Sequence, residues 1–194
     1  MSGLRLAIDI DETLAQTNLT WARHHIQTYG NPEALMAEEI IKKYRFVKDV
    51  PYWQIDEAKR WVEAEINSIE AQLKIPVIEE SVAIMKRIPV VCYLTNRPAQ
   101  TTKGTQEWLR MHGFPDKKVI SSIKGLEWKA QTLKEMFPEV TGIIDDNIGL
   151  LEQIKSNYKG MIFLYSHAST FNSDLNVIPC PTWGDIGREV QRFM

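Results

Sequence analysis

Five short, continuous apolar runs recur along the chain, and helical patterns separate the last four of them. The runs cover residues 6–10, 90–94, 119–121, 142–144 and 161–164. Because they are continuous rather than alternating, they are typical of parallel strands that helices cover on both sides. The alternation of strand and helix predicts an α/β fold, with a doubly wound parallel sheet and helices on both faces. The turn-rich tail from 166 to 182 is predicted to contain no strand and to lead into a last short helix.

The interval between the first two runs breaks this rhythm, because residues 15–76 show helical patterns and no convincing strand. One helix is predicted to begin at a capping Asn18 and to end at Gly30, and a second covers about 32–44. A third carries apolar residues at steps of three and four from Ile55 to Leu73, and we expect it to pack on the other two. Since one crossover needs only about a dozen residues, the sequence predicts a helical insertion at 15–76 and a core formed by 1–14 and 77–194. The insertion leaves the carboxyl end of the first strand, where such sheets bind ligands, so we expect it to form a lid.

Composition restricts the kinds of partner. The chain has 23 basic and 25 acidic residues and a net charge of −2, so it lacks the basic excess of proteins that bind nucleic-acid backbones. Its two cysteines, Cys92 and Cys180, do not form a zinc motif, and Cys92 lies in an apolar run where a buried, reduced thiol is expected. The N-terminus does not resemble a signal peptide, and no apolar run approaches the ~18 residues of a membrane span. We therefore expect a soluble, cytoplasmic protein without a membrane partner.

Paired carboxylates follow the first and fourth of the apolar runs. Asp9 and Asp11 stand two residues apart at the end of the first, so both side chains are predicted to face the same side. Asp145 and Asp146 end the fourth run in the same way, and helix capping explains one of these two residues but not both. Convergent carboxylates are suited to a hard divalent cation such as Mg²⁺, and to a division of labour between a nucleophile and a general acid and base.

Two further residues have weaker signals. Thr95 follows the second apolar run at the start of a helix, where its hydroxyl and nearby backbone N–H groups can hold a phosphate oxygen, although a plain capping role is the usual one. Lys129 lies in the first turn of a predicted helix, where the helix dipole disfavours a cation and another partner is needed. Lys124 also precedes the last acidic pair, but it adjoins Gly125 in a loop, so we favour Lys129 as the phosphate ligand.

These four motifs together resemble those of the haloacid dehalogenase (HAD) superfamily: Asp-x-Asp-x-Thr at Asp9, a threonine after the second strand, a lysine, and a terminal acidic pair. The resemblance implies a Rossmann-like sheet, an inserted helical cap of the C1 type, and a magnesium-dependent phosphohydrolase. It implies that Asp9 is the nucleophile and that Asp11 protonates the leaving oxygen and then activates water. The implied phosphate ligands are Thr95, Asn96 and Lys129. The implied metal ligands are Asp9, Asp11 through its backbone carbonyl, Asp145 and Asp146.

One position departs from the motif, because Glu12 stands where many members of the superfamily have glycine. We expect catalysis to survive this change and the turn to be stiffer. The presence of Asp11 argues against a true dehalogenase.

The chain looks most similar to the 5′(3′)-deoxyribonucleotidase-like branch in the segments 8–11, 29–30, 39–44 and 181–186. This resemblance implies a small substrate such as a nucleoside or deoxynucleoside monophosphate. A lid aromatic could stack on a base, although each of the three candidates is more typical of a core residue: Trp21, Phe46 and Trp53. His24 and His25 could contact the substrate, and a solvated helix face is the alternative for at least one. The segments 97–98, 107–109 and 112–115 also resemble those of phosphatases that act on polynucleotide ends, the alternative enzyme. The alternative of another class is a non-catalytic phosphate-binding regulatory module. The sequence does not predict an oligomeric state.

Overall fold

The computed structural model describes residues 3–154, 158–169 and 174–194. Six strands in this part of the chain form one sheet with the order β3-β2-β1-β4-β5-β6, and all its neighbours pair in parallel. The strands are β1 (Leu6–Ile8), β2 (Val90–Thr95), β3 (Lys118–Ser121), β4 (Gly142–Asp145), β5 (Met161–Tyr165) and β6 (Asn176–Cys180). The predicted parallel α/β fold is confirmed. Because β2 and β4 both flank β1, their carboxyl ends meet at one place.

Helices cover both faces of the sheet, as the continuous apolar strands predict. The core helices are α5 (Glu79–Met85), α6 (Thr102–Met111), α7 (Gly125–Glu135), α8 (Gly149–Ile154) and α9 (Trp183–Gln191). Leu6 and Ile8 of β1 pack in one apolar cluster with Trp108 of α6 and with residues of α5 and α9. Ala7 points the other way, into a second cluster with residues of α7 and α8. The alternation along a single strand therefore places its side chains in two cores.

The segment between β1 and β2 is helical. It contains α1 (Thr17–Tyr29), α2 (Ala37–Tyr44), α3 (Asp56–Ile66) and α4 (Ile69–Leu73), with two short 3₁₀ turns at Val47–Asp49 and Pro51–Trp53. This segment has an apolar cluster of its own, centred on Ala22, Ile40 and Trp53. The cluster is separate from the two cores of the sheet. Asn18 does not cap α1 as predicted. It lies inside the helix, and its side-chain oxygen accepts a hydrogen bond from the Val47 N–H at 3.2 Å.

The prediction of one continuous third helix from Ile55 to Leu73 is wrong. The helix α3 ends before Asn67. A new helix, α4, begins after Ser68, whose side chain accepts a hydrogen bond from the Ala71 N–H at 3.1 Å. The second half of the apolar seam then packs on the core helix α6 rather than on the other inserted helices. Both halves keep a helical period, so the pattern alone did not show that they face different partners.

The tail also differs from the prediction, because residues 176–180 form β6 at the edge of the sheet. Pro179 and the preceding turn residues made this segment read as a loop. An edge strand tolerates proline since one of its sides needs no ladder hydrogen bonds. Both cysteines are buried and unpaired, Cys92 in β2 and Cys180 in β6. Among the residues described, none of the helices has the length and apolar character that crossing a membrane requires.

Candidate active site

The site lies at the carboxyl edge of the sheet, where three buried carboxylates converge. Asp9 directly follows β1, Asp145 is the last residue of β4, and Asp146 comes next. One oxygen of each lies within 4.8 Å of the others. Parallel pairing of β1 with β4 brings these residues together although the sequence separates them widely. The two acidic pairs therefore share one site through Asp9, Asp145 and Asp146.

Lys129 supplies the buried positive charge of this cluster. It projects from α7, and its Nζ donates to Asp9 Oδ1 at 2.5 Å and to Asp145 Oδ2 at 2.7 Å. Its side chain is 2% exposed, so the lysine is held by carboxylates instead of water. Lys124 is exposed and lines a surface hollow with Glu127 and Gln131. The structure thus brings Lys129, and not Lys124, to the acidic cluster.

Burial and the crowding of negative charge shift the pKa values of these acids. Burial raises the pKa of Asp9 well above its usual value, Lys129 opposes this shift, and Asp145 and Asp146 add to it. Burial, together with the charge of Asp145, raises the pKa of Asp146 to about 7. Burial alone would lower the pKa of Lys129, but Asp145 and Asp9 outweigh it and raise that pKa. Three carboxylates around one lysine leave an excess of negative charge and offer only hard oxygen donors. The residues present therefore fit a hard divalent cation such as Mg²⁺.

Asp11 turns its carboxylate away from this cluster. Oδ1 of Asp11 accepts hydrogen bonds from Arg97 Nη2 at 2.8 Å and from Thr17 Oγ1 at 2.5 Å, and Arg97 Nε lies 3.1 Å from Oδ2. Burial would raise the pKa of Asp11, but Arg97 and Thr17 outweigh it and the pKa is lowered overall. Arg97, itself buried, also donates to Gln72 at 3.4 Å and to Thr105 at 3.5 Å. Asp11 is thus fixed by the core through Arg97 and by the insertion through Thr17.

Two of the three predicted phosphate ligands, Thr95 and Asn96, lie at the end of β2 and directly after it. Thr95 is fully buried, and its Oγ1 accepts a hydrogen bond from the Arg97 N–H at 3.3 Å. Asn96, with its amide oriented to satisfy its neighbours, donates to the carbonyl oxygens of Ser122 and Gly125 at 3.2 Å each. Asn96 therefore ties the turn after β2 to the loop that precedes α7 and so helps to place Lys129.

Glu12 has a left-handed backbone, with φ of 63°, which explains why glycine suits this position. Its Oε1 accepts a hydrogen bond from the Asn18 N–H at 2.6 Å, and burial raises its pKa to about 7. It borders a cavity of about 490 Å³ between the insertion and the sheet edge. Arg45 and Ser166 also line this cavity, and they too have left-handed backbones, with φ of 68° and 63°.

Arg45 links the insertion to the acidic cluster through Asp146. Its Nη2 donates to the backbone carbonyl of Asp146 and lies 3.2 Å from Asp146 Oδ2. His167 Nε2 also lies 2.9 Å from that carbonyl. Arg45 and His167 were not among the predicted site residues, because neither belongs to a motif and each reaches the site from a distant segment. Arg97 carries a sequence signal of its own, since a charged residue two positions after a buried strand needs a partner if it is buried.

The three candidate aromatic residues of the insertion lie in different environments. Trp21 lines a smaller cavity next to Asp11, with a volume of about 160 Å³. Trp53 is buried in the core of the insertion, where its Nε1 donates to the Gly30 carbonyl at 2.9 Å. Phe46 lies beside Arg45 and Lys48.

Neither candidate histidine is a solvated helix residue. His25 is buried, and its Nδ1 lies 3.0 Å from the Trp21 carbonyl. The half-buried ring of His24 stacks on Trp61, with the two ring centres 3.8 Å apart.

No family model matches the sequence, and no curated protein shows significant similarity to it. Solved structures do resemble the chain over nearly its full length. A haloacid dehalogenase-like family hydrolase from Xanthomonas campestris is 16% identical with a TM-score of 0.53, over 98% of this chain and 95% of the other. A HAD-superfamily hydrolase of subfamily IA, variant 1, from Geobacter sulfurreducens is 13% identical with a TM-score of 0.58, over 98% and 97%. The chain therefore has the fold of haloacid dehalogenase-like hydrolases. The likeness to the deoxyribonucleotidase-like branch stays a prediction.

Proposed function

We propose that this protein is a phosphomonoester hydrolase in which Asp9 attacks phosphorus. The observation that carries the proposal is the convergence of Asp9, Asp145 and Asp146 around the buried Lys129. A phosphoryl group spreads negative charge over three oxygens, so its transfer depends mainly on positioning and on neutralising that charge. A fold shared with HAD-like hydrolases is consistent with this chemistry.

The proposed reaction has two halves. In the first, Asp9 forms a bond to phosphorus while the bond to the ester oxygen breaks, and Asp11, whose pKa Arg97 and Thr17 lower, gives a proton to that oxygen from its minor, protonated form. In the second, Asp11 takes a proton from water, the oxygen of that water attacks phosphorus, and Asp9 is released together with inorganic phosphate. Lys129 and Thr95 hold the phosphoryl oxygens in both halves.

The carboxylates of Asp9, Asp145 and Asp146, with the backbone carbonyl of Asp11, would hold Mg²⁺. When bound, the ion supplies positive charge that offsets the repulsion between a carboxylate and a phosphate dianion. The excess of negative charge at the cluster supports this assignment, because the two cations Lys129 and Arg45 do not neutralise three acids.

The insertion at 15–76 is proposed to act as a C1-type cap. Its own apolar cluster supports an independent packing unit, and its contacts with Asp11 and Asp146 place it beside both acidic pairs. A cap in this position excludes water and limits the size of the substrate. A small phosphate ester is therefore favoured over a polynucleotide end, the alternative enzyme substrate.

Nucleoside and deoxynucleoside monophosphates are a candidate substrate class, because Trp21 borders the cavity beside Asp11 and stacking on a base contributes about 1–3 kcal/mol. Rates with these monophosphates, with sugar phosphates and with a 3′-phosphorylated oligonucleotide separate the alternatives. A preference for the oligonucleotide would support the polynucleotide-end reading. A preference for sugar phosphates would exclude both nucleotide readings without affecting the role of Asp9.

The decisive experiment for the reaction is turnover of p-nitrophenyl phosphate with Mg²⁺ and with a chelator. We expect activity that needs the ion and that falls by at least about 10³-fold in Asp9→Asn, with an unchanged circular dichroism spectrum. Asp116→Asn, an exposed aspartate of the core, is the matched control and should keep full activity. Full turnover in Asp9→Asn would exclude the mechanism. Phosphate binding without turnover in the unaltered protein would favour the regulatory module.

A further inference from the structure

The cavity beside Asp11 lies where the proposed mechanism places the departing group. Asp11, Asn96 and Arg97 of the core line it, and the insertion contributes Trp21, Ile66, Ala71 and Gln72 among others. Since Asp11 gives its proton to the ester oxygen, whatever is bonded to that oxygen must extend from Asp11 into this space.

The volume of this cavity limits how much of the departing group it can enclose. It holds about 160 Å³, close to the ~150 Å³ of an engineered protein cavity that binds benzene. Sites for drug-sized ligands begin at about 300 Å³. One ring therefore fills the space, and a nucleoside, which has both a sugar and a base, exceeds it.

Two of the polar side chains that border the cavity, Gln72 and Asn18, already have hydrogen-bond partners. The Gln72 side chain donates to the Ile66 carbonyl at 2.8 Å and to Thr101 Oγ1 at 2.9 Å, and its oxygen accepts from Arg97 and Thr105. The side-chain oxygen of Asn18 accepts from the Val47 N–H. Hydroxyl groups of a sugar that face Gln72 or Asn18 would have to displace these bonds or stay unpaired, and both are costly.

The remaining walls favour an uncharged, apolar group. Trp21, Ile66, Ala71 and Ile75 offer ring and aliphatic surface, and the half-buried carboxylate of Glu65 opposes a second negative charge on the substrate. We propose that this cavity is the leaving-group site, and that it selects phosphate monoesters of compact, mostly apolar alcohols or phenols of one ring, with Trp21 setting the size limit. This inference rests on the proposed function, and it competes with the nucleotide candidate.

Two matched pairs of esters test size and polarity separately. Phenyl and 1-naphthyl phosphate have leaving groups of similar acidity, and kcat/KM is expected to be at least about tenfold higher for phenyl phosphate. Cyclopentylmethyl phosphate and ribose 5-phosphate share a five-membered ring and a primary ester, and the first is expected to exceed the second by a similar factor. Equal values within either pair, or a higher value for deoxyuridine monophosphate than for phenyl phosphate, would overturn the inference.

Substitution of Trp21 tests the wall directly. Trp21→Ala should raise the ratio of kcat/KM for naphthyl over phenyl phosphate by about tenfold or more, and Trp21→Phe should raise it less. Trp61→Ala is the control, since Trp61 belongs to the same insertion but stacks on His24 and should leave the ratio unchanged. Trp21→Phe carries the test if Trp21→Ala does not fold by circular dichroism. An unchanged ratio in a folded Trp21 variant would refute the role of this residue. Absence of turnover with every ester would instead refute the hydrolase proposal.

Discussion

Among single residues, Lys129 contributes most to neutralising the negative charge of the clustered carboxylates. Its ammonium group contacts two of the three clustered carboxylates, and it is buried with them. The three acids and the lysine therefore depend on one another, and removal of the lysine leaves buried negative charge without a partner.

We expect Lys129→Met to lower turnover by at least about 100-fold and the free energy of unfolding, measured in chelator, by about 3–5 kcal/mol. The methionine keeps the volume of the side chain but not its charge. Initial rates with p-nitrophenyl phosphate and urea unfolding measure the two effects. Lys124→Met, on an exposed lysine, should leave both quantities nearly unchanged. A larger effect of Lys124→Met would mean that the wrong lysine had been assigned to the site.

Arg97 should act through Asp11, which it holds with two nitrogens. An alkyl ester needs a proton on its leaving oxygen, whereas p-nitrophenolate departs without one. We therefore expect Arg97→Met to reduce kcat for cyclopentylmethyl phosphate about 10–100-fold more than kcat for p-nitrophenyl phosphate. The selective loss of kcat in Arg97→Lys should be smaller than in Arg97→Met but still measurable against the parent protein. Equal losses with both esters would show instead that Arg97 acts on the phosphoryl group or on folding.

The residues of the acidic cluster were accessible from the sequence because each follows an apolar strand, and strand ends of a parallel sheet meet. The partners of Asp11 were not accessible in the same way. Thr17 lies on the insertion, and Arg97 is 86 positions away in the chain. Their contact with Asp11 depends on the adjacency of β1 and β2 and on the docking of α1, which spacing along one segment does not reveal.

At the scale of secondary-structure elements, the close approach of α4 to α6 distinguishes the insertion from the pattern that predicted it. A Cβ added to Gly104 of α6 would lie 2.5 Å from a methyl carbon of Ile69 in α4. Glycine therefore permits the contact. The helical character of residues 55–73 was recognisable from its periodicity, but the division into α3 and α4 was not. The contact of α4 with α6 and the pairing of β6 with β5 were not recognisable either. A local sequence pattern predicts neither of these contacts.

This contact predicts a change of sign in a double-mutant cycle. Gly104→Ala alone should destabilise the protein by about 1 kcal/mol, because overpacking exceeds the gain in helix propensity. In the background of Ile69→Ala the clash is absent, and Gly104→Ala should stabilise by about 0.5–1 kcal/mol. Urea unfolding of the four proteins measures the cycle. The same sign in both backgrounds would mean that the two helices are not in close contact in solution.

At the scale of the whole molecule, hydrogen bonds join the insertion to the core at several places, two of which involve Gln72 and Arg45. Gln72 connects α4 to Arg97, Thr101 and Thr105 on one side, and Arg45 connects the end of α2 to Asp146 on the other. The packing of the insertion is thus coupled to both acidic pairs. Disruption of its apolar cluster should therefore disturb the positions of the site residues.

Acid should weaken the molecule through His25, which is buried in the insertion. Burial lowers the pKa of His25 to about 4, with the Trp21 carbonyl opposing this shift, whereas an unfolded histidine has a pKa near ~6.5. Between these values the unfolded chain takes up a proton that the folded chain does not, so stability falls as the pH falls. The contribution is about 2 kcal/mol between pH 7.5 and pH 5.

Urea unfolding at these two pH values measures the effect. His25→Phe should reduce the difference in unfolding free energy between pH 7.5 and pH 5 by about that amount, and Gln27→Ala, on the exposed face of α1, should not change it. The same difference in His25→Phe and in the parent protein would show that His25 is not the acid-sensitive group.

The three left-handed residues around the larger cavity, Glu12, Arg45 and Ser166, have a consequence for protein engineering. Each adopts a backbone conformation that costs an L-residue about 1–2 kcal/mol. Substitution by glycine would remove this cost, so a selection for thermostability would favour it. Yet the Glu12 side chain holds the start of α1, and Arg45 holds Asp146. Selection for heat resistance alone would therefore tend to remove these contacts, and a stabilised variant would have weaker links between its insertion and its acidic cluster.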